Sequence, residues 1–209
     1  MVLKARVPCW IGFLAMWPAM PTAADKQGFY IGAGISAATY RISTDLDSGM
    51  KGSRVAGGRL EAGHVWDVGR AGGFRLGVAV AYDHWGEAED TRVDYHGTVR
   101  ETFRARFVAV NCVLQQEIAP WVDFVFKAGP GFGSFDARRE YLEPVHPYPP
   151  ESSSGEGLGG SYIAGFDFFP VPHLVLEIAG QVNWFTPGGS YFLDAVGVAA
   201  LSGSLQYRF

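Results

Sequence analysis

Apolar residues recur at every second position over most of the chain, and no stretch sustains the 3.6-residue repeat of an amphipathic helix. Phe29, Ile31, Ala33 and Ile35 alternate with Tyr30, Gly32, Gly34 and Ser36, which predicts a strand over 28–41. The same period sets Leu60, Ala62, His64 and Trp66 against Arg59, Glu61 and Gly63 in a second strand, 54–67. From Phe74 the alternation is cleanest, with Leu76, Val78, Val80 and Tyr82 opposing Arg75, Gly77, Ala79, Ala81 and Asp83. A fourth strand is expected over 98–114, where Phe103, Ala105 and Phe107 alternate with Arg104 and Arg106. Beyond Phe107 both faces become apolar, which fits a bulge or register change and leaves the side of Cys112 open. Further strands are expected over 121–135, 157–168, 173–185 and 196–209. The connections 43–53, 86–97, 136–156 and 186–195 read as loops, the third because Pro144, Pro147, Pro149 and Pro150 precede Ser152, Ser153, Ser154 and Gly155.

Eight strands long enough for the roughly 9–11 residues of a tilted bilayer crossing fit two arrangements. One is a membrane barrel with apolar residues outside, the other a lipocalin-like barrel with apolar residues inside. Three features favour the membrane barrel. An eight-stranded lumen is only just wide enough for side chains, so the Phe, Leu, Trp and Tyr face is too bulky to point inward on every strand, whereas the Gly, Ala and Ser face fits. The polar face carries Arg59, Arg75, Arg104, Arg106, Lys127 and Arg208 against Glu61, Asp83, Asp123, Asp167 and Glu177, the near balance expected of charges paired in a narrow interior. Large aromatics gather at strand ends: Phe29, Trp66, Phe74, Trp121, Phe168, Tyr207 and Phe209 beside the short connections, and Tyr40, Tyr82, Trp85, Phe103, Phe132, Tyr162 and Trp184 beside the long ones. Two such bands are what aromatic girdles at both membrane interfaces look like in sequence. The expected fold is therefore all-β, an eight-stranded antiparallel up-and-down transmembrane β-barrel.

Composition narrows the picture further. Only 18% of the residues are charged, the mean hydropathy is +0.06, and no apolar run nears the ~18 residues of a membrane helix, so a helical bundle in lipid is excluded. A sequence pI near 5.7 supplies no basic surface for nucleic acid. Residues 1–24 read as a secretory signal: Lys4 and Arg6 lead an apolar stretch from Val7 to Met20, and Thr22, Ala23 and Ala24 place small residues before a cut ahead of Asp25. Its removal leaves 15 basic against 21 acidic residues, a net charge of −6, and Cys112 as the only thiol, so no intrachain disulfide forms. Residues 25–209 are expected to make a single barrel domain.

With these features, and a last strand LSGSLQYRF that sets Leu201, Leu205, Tyr207 and Phe209 on one face, the chain resembles the small outer-membrane β-barrels of Gram-negative bacteria, the OmpA, OmpX and opacity-protein group. The resemblance covers essentially the whole mature chain. It implies a monomer among outer-membrane lipids and lipopolysaccharide, with both termini periplasmic and the long connections extracellular. It also implies that the barrel-assembly machinery reads Leu205, Tyr207 and Phe209.

Other motifs carry less. Gly32-Ala-Gly34-Ile-Ser-Ala37 matches the form of a dinucleotide fingerprint but has no following helix. Asp45, Asp47 and Gly49 begin like a calcium loop, yet Ala56 stands where the closing Glu would be. The lipid A deacylases, which resemble this chain in size, use a neighbouring His and Ser with an acidic partner. Here His64, His84 and His146 lie in no His-x-Ser pattern, and His84, with Glu87 or Glu89 as acid, lacks an adjacent serine. No cofactor and no catalytic residue is implied. The expected function is that of a non-enzymatic surface protein that supports envelope integrity or makes adhesion-type contacts, and the loop bearing Arg138, Arg139, Tyr141, His146 and Tyr148 is the candidate contact surface. A narrow pore or small-solute carrier is the alternative, followed by a lipid A-modifying enzyme.

Overall fold

The computed structural model describes residues 26–43, 51–68, 73–94, 97–142, 149–188 and 195–209. The expected signal segment, the 44–50 part of the first long connection, His146 and Tyr148 lie outside them. Eight strands follow in order: β1 (Gly28–Ser43), β2 (Lys51–Asp67), β3 (Phe74–Asp94), β4 (Gly97–Ala119), β5 (Val122–Tyr141), β6 (Glu151–Val171), β7 (Leu174–Phe185) and β8 (Ala195–Arg208). Each pairs antiparallel with its sequence neighbour, and β1 pairs with β8 from Tyr30↔Arg208 to Ser43↔Ala195, which closes the barrel and leaves the transmembrane sheet without an edge. Both described termini lie at the end carrying the short turns 120–121 and 172–173.

The strand interiors explain the closure. Ile31, Leu60, Val78, Val80, Val110, Phe124, Phe166, Ile178 and Leu201 face outward, while their chain neighbours face a lumen of small and polar residues. A continuous apolar exterior of this extent has no counterpart on a water-facing monomer, whose apolar patches stay near a few hundred Å². Inward glycines make room where the lumen is crowded. A Cβ on Gly131 would run into the Phe107 ring, and one on Gly133 into the Phe185 ring.

β3, β4, β5 and β6 extend well past what the periodicity predicts. The 86–97 and 136–156 segments are not loops over most of their length. Glu89–Asp94 pairs with Gly97–Thr102, and Asp136–Arg139 pairs with Glu151–Ser154, so β3 to β6 continue as a sheet beyond the belt. The serines Ser152, Ser153 and Ser154 oppose Arg138, Ala137 and Asp136 in that ladder. Polar residues pair there because the extension stands clear of the apolar belt, where neither face needs to be apolar. Residues 51–53 likewise belong to β2 rather than to a loop.

β4 has no bulge at Val108–Leu114: its burial alternates without a break from Phe103 to Gln116, and Cys112 faces outward. The β3–β4 ladder is instead irregular in β3, where Trp85↔Ala105 is followed by Ala88↔Phe103. Gly86 and Glu87 thus oppose Arg104 alone, a bulge that turns both Trp85 and Ala88 inward. The Tyr40 hydroxyl spans the break, donating to the Gly86 carbonyl at 3.0 Å and accepting from the Ala105 N–H at 3.2 Å.

Candidate functional site

The lumen has two zones. Towards the short-turn end it is ionic. Lys127 Nζ lies 2.6 Å from Glu61 Oε1 and 2.5 Å from Glu177 Oε2. Arg59 holds the second oxygen of Glu61 at 2.5 Å and reaches Asp83 at 3.4 Å. Tyr30 donates its hydroxyl to Glu61, Gln206 its amide to Glu177, and Asn183 its amide to Asp83. A second cluster centres on Asp123, which accepts from Arg75 at 2.5 Å and from Lys26 at 3.0 Å. Beside it Asp167 is bonded by Gln115 at 2.5 Å and Arg208 at 3.4 Å. Arg208 also donates to the Lys26 carbonyl. The Lys26 ammonium and the Arg208 guanidinium both lie over the Phe169 ring, 4.9 and 5.1 Å from its centroid.

Among the described residues, the buried basic side chains are Lys26, Arg59, Arg75, Lys127 and Arg208 and the buried acidic ones Glu61, Asp83, Asp123, Asp167 and Glu177, five of each kind. Burying a charge in so narrow a space costs several kcal/mol unless a partner and further hydrogen bonds offset it, and each member here lies within 3.4 Å of at least one oppositely charged side chain. Strand alternation positions them. Arg59 and Glu61 are two apart on β2, and Arg59 stands directly across from Asp83 on β3.

The other zone is apolar. Tyr40, Trp85, Phe103, Phe107, Phe135 and Phe185, with Ile42, Val55, Val196 and Val198, form one buried cluster across the lumen near the long-strand end. Tyr40 meets Phe103 edge-on at 5.0 Å and Phe103 stacks on Phe135 at 5.6 Å. Such packing crowds the lumen with side chains at this level.

Two expected members of the ionic lumen are not there. Arg104 and Arg106 face outward, while Phe103, Ala105 and Phe107 face inward. The reason lies in height. Above the belt the outer face meets headgroups and water, where a guanidinium is at ease, and the inner face is the aromatic cluster. Tyr40, Trp85 and Phe103, expected in an interfacial band, belong to that cluster, leaving Tyr82, Phe132, Tyr162 and Trp184 outward. Lys26 goes unnoticed in sequence because it precedes the first alternating residues, although a cation just before a strand end is placed to enter the lumen. Arg104→Gln is expected to change stability by no more than about 0.5 kcal/mol in urea titrations, because its partner is the exposed Glu87 at 3.3 Å.

Of the remaining named positions, Leu205 and Tyr207 on β8 and Phe209 just after it face outward, Phe209 against Phe29 at 5.7 Å and Tyr207 at 5.0 Å. Arg138, Arg139 and Tyr141 lie in β5 rather than in a loop. Arg139 turns inward onto Glu101 at 2.6 Å, and Arg138 faces outward beside Glu140. Among the described residues no group of three or more His, Cys, Asp or Glu is placed to hold a metal ion.

Residues 11–209 match the outer membrane protein beta-barrel domain model. The chain belongs to that family. Like other outer membrane β-barrels, the protein resides in the outer membrane of a Gram-negative cell. No curated protein matches the sequence. Among solved structures, the Neisserial surface protein A is similar with 15% identity over 87% of this chain and 97% of that one, at a TM-score of 0.58. A major outer membrane protein of Thermus thermophilus is similar at 13% identity over 87% and 99%, with a TM-score of 0.53. The outer membrane enzyme PagL shares 13% identity over 84% and 99%, at 0.40. At these identities the likeness concerns the fold alone.

Proposed function

We propose that this outer membrane β-barrel is a non-enzymatic surface protein, supporting the envelope and making contacts beyond it through its long hairpins. The observation that carries the reading is the continuation of β3, β4, β5 and β6 past the belt as a paired sheet. It presents polar and charged side chains such as Arg100, Glu89, Arg138 and Glu140 on a rigid support. Function collects on segments displayed by a stable scaffold, and paired strands lose less entropy on binding than free loops.

Against the pore alternative stands the aromatic cluster that fills the lumen. Against lipid chemistry at the outer rim stands the register. His84 of β3 and Ser134 of β5 share the outward face but are separated by Arg106 of β4. Two strand spacings, about 9–10 Å, keep imidazole and hydroxyl beyond hydrogen-bond reach.

Expression of the full chain in a Gram-negative host tests the reading in one set of cells. The expected result is adhesion to protein-coated surfaces above that of vector controls, lost when the tips of the β3–β4 and β5–β6 hairpins are replaced by short Gly-Ser turns. An unchanged lipid A mass spectrum and planar bilayers without steady conductance steps are expected alongside. A new lipid A species, steady conductance, or adhesion indifferent to the hairpins would overturn it.

A further inference from the structure

The outward faces of three neighbouring strands change character along one row. On β4 the outward residues run Leu114, Cys112, Val110, Val108 and then Arg106 and Arg104. Tyr82 on β3 and Phe132 on β5 stand directly across from Val108, and all three are well exposed. One step further, His84 and Ser134 stand directly across from Arg106. The boundary between apolar belt and polar rim therefore passes between these two rows on the side where the strands are long.

The charges around the upper row are mostly matched. Arg104 is held by Glu87 at 3.3 Å and has Asp136 across from it; Arg100 is held by Glu89 at 2.8 Å, and Arg138 by Glu140 at 3.5 Å. Glu156 stands beyond Ser134 on β6. Arg106 is the outward arginine of β4 and β5 with no carboxylate partner among the described residues. A guanidinium at the edge of a hydrocarbon layer, unpaired and flanked by an imidazole, matches an anion that carries acyl chains of its own. The chains would lie on Tyr82, Val108 and Phe132, and the anion would meet the five-donor fork of Arg106, which suits a phosphate bidentately.

We propose that this rim binds the phosphate of a phosphorylated glycolipid of the outer leaflet, with Arg106 as its main ligand and His84 beside it. The outer leaflet is the source because the row lies at the long-strand end, opposite the termini. The site is independent of what the hairpin tips contact.

The test uses the full chain folded in phosphatidylcholine nanodiscs doped with one probe at a time: lipid A, the same lipid A with its phosphates removed enzymatically, or phosphatidylglycerol. Lipid retained on the protein after detergent extraction is read by native mass spectrometry. Lipid A is expected to be retained at least about tenfold better than its dephosphorylated form, with Arg106→Glu lowering retention to the dephosphorylated level and Arg100→Glu leaving it unchanged. Arg106→Lys, which keeps the charge and loses the fork, should fall between them and serves if Arg106→Glu fails to fold as judged by heat-modifiable migration. Equal retention of the two lipid A forms, or retention unaltered by either substitution at Arg106, overturns the site. Phosphatidylglycerol held as tightly as lipid A overturns the assignment to a glycolipid.

Discussion

Lys127→Met is expected to destabilise the folded barrel by about 3–5 kcal/mol, the cost of leaving a buried carboxylate without its cation. The Lys127 ammonium lies within 2.6 Å of two carboxylates, and the loss falls unequally on them. Glu61 keeps Arg59 at 2.5 Å and the Tyr30 hydroxyl, whereas among the described residues Glu177 keeps the neutral amide of Gln206. The double variant Lys127→Met with Glu177→Gln restores the charge balance and should recover more than half of the lost stability. Urea midpoints in phospholipid vesicles, followed by the shift between folded and unfolded gel bands, provide the measurement. A single variant that loses less than about 1 kcal/mol would show that the lumen is wet enough to solvate Glu177, and the ionic zone would then not be what ties the strands together.

The balance of five cations and five anions is approachable from sequence, since nine of these ten residues sit on the polar phase of strongly alternating strands. The tenth, Lys26, has no strand phase to betray it. Arg104 and Arg106 are misplaced by a rule that holds only inside the membrane: the greasier face points to lipid. Counting instead from Asn111 and Gln115, both buried, with Leu114, Cys112 and Val110 outward, carries the correct phase up β4 to Arg106 and Arg104. The same blindness to height hides the aromatic cluster, because Tyr40, Trp85 and Phe103 look like girdle residues until the bulge at Gly86–Glu87 turns Trp85 inward. The strand extensions are illegible for a different reason. With Val99 the buried apolar residue among mostly polar neighbours, they leave no sustained period-two signature, and Ser and Arg pair there through backbone bonds that any residue but proline can make.

Ile178→Arg probes which solvent surrounds the barrel, and its expected cost in phospholipid vesicles is about 2–4 kcal/mol. Ile178 faces outward near the middle of β7, with Leu176 and Val182 on the same face. Its chain neighbours Glu177 and Ala179 are buried in the lumen, so the new guanidinium has no inward route to a partner. It must reach for the interface along the outside of the barrel or remain in hydrocarbon, and both raise the free energy of the folded state. Leu158→Arg supplies the contrast. Leu158 stands across from Phe132, at the row where the belt gives way to the rim, and a charge there should cost no more than about 1 kcal/mol. Only a slab of lipid makes two outward leucine-like positions on adjacent strands respond so differently to one substitution. Equal, small costs at both would mean that water lies against Ile178, and the apolar exterior would then have to be covered by another protein surface.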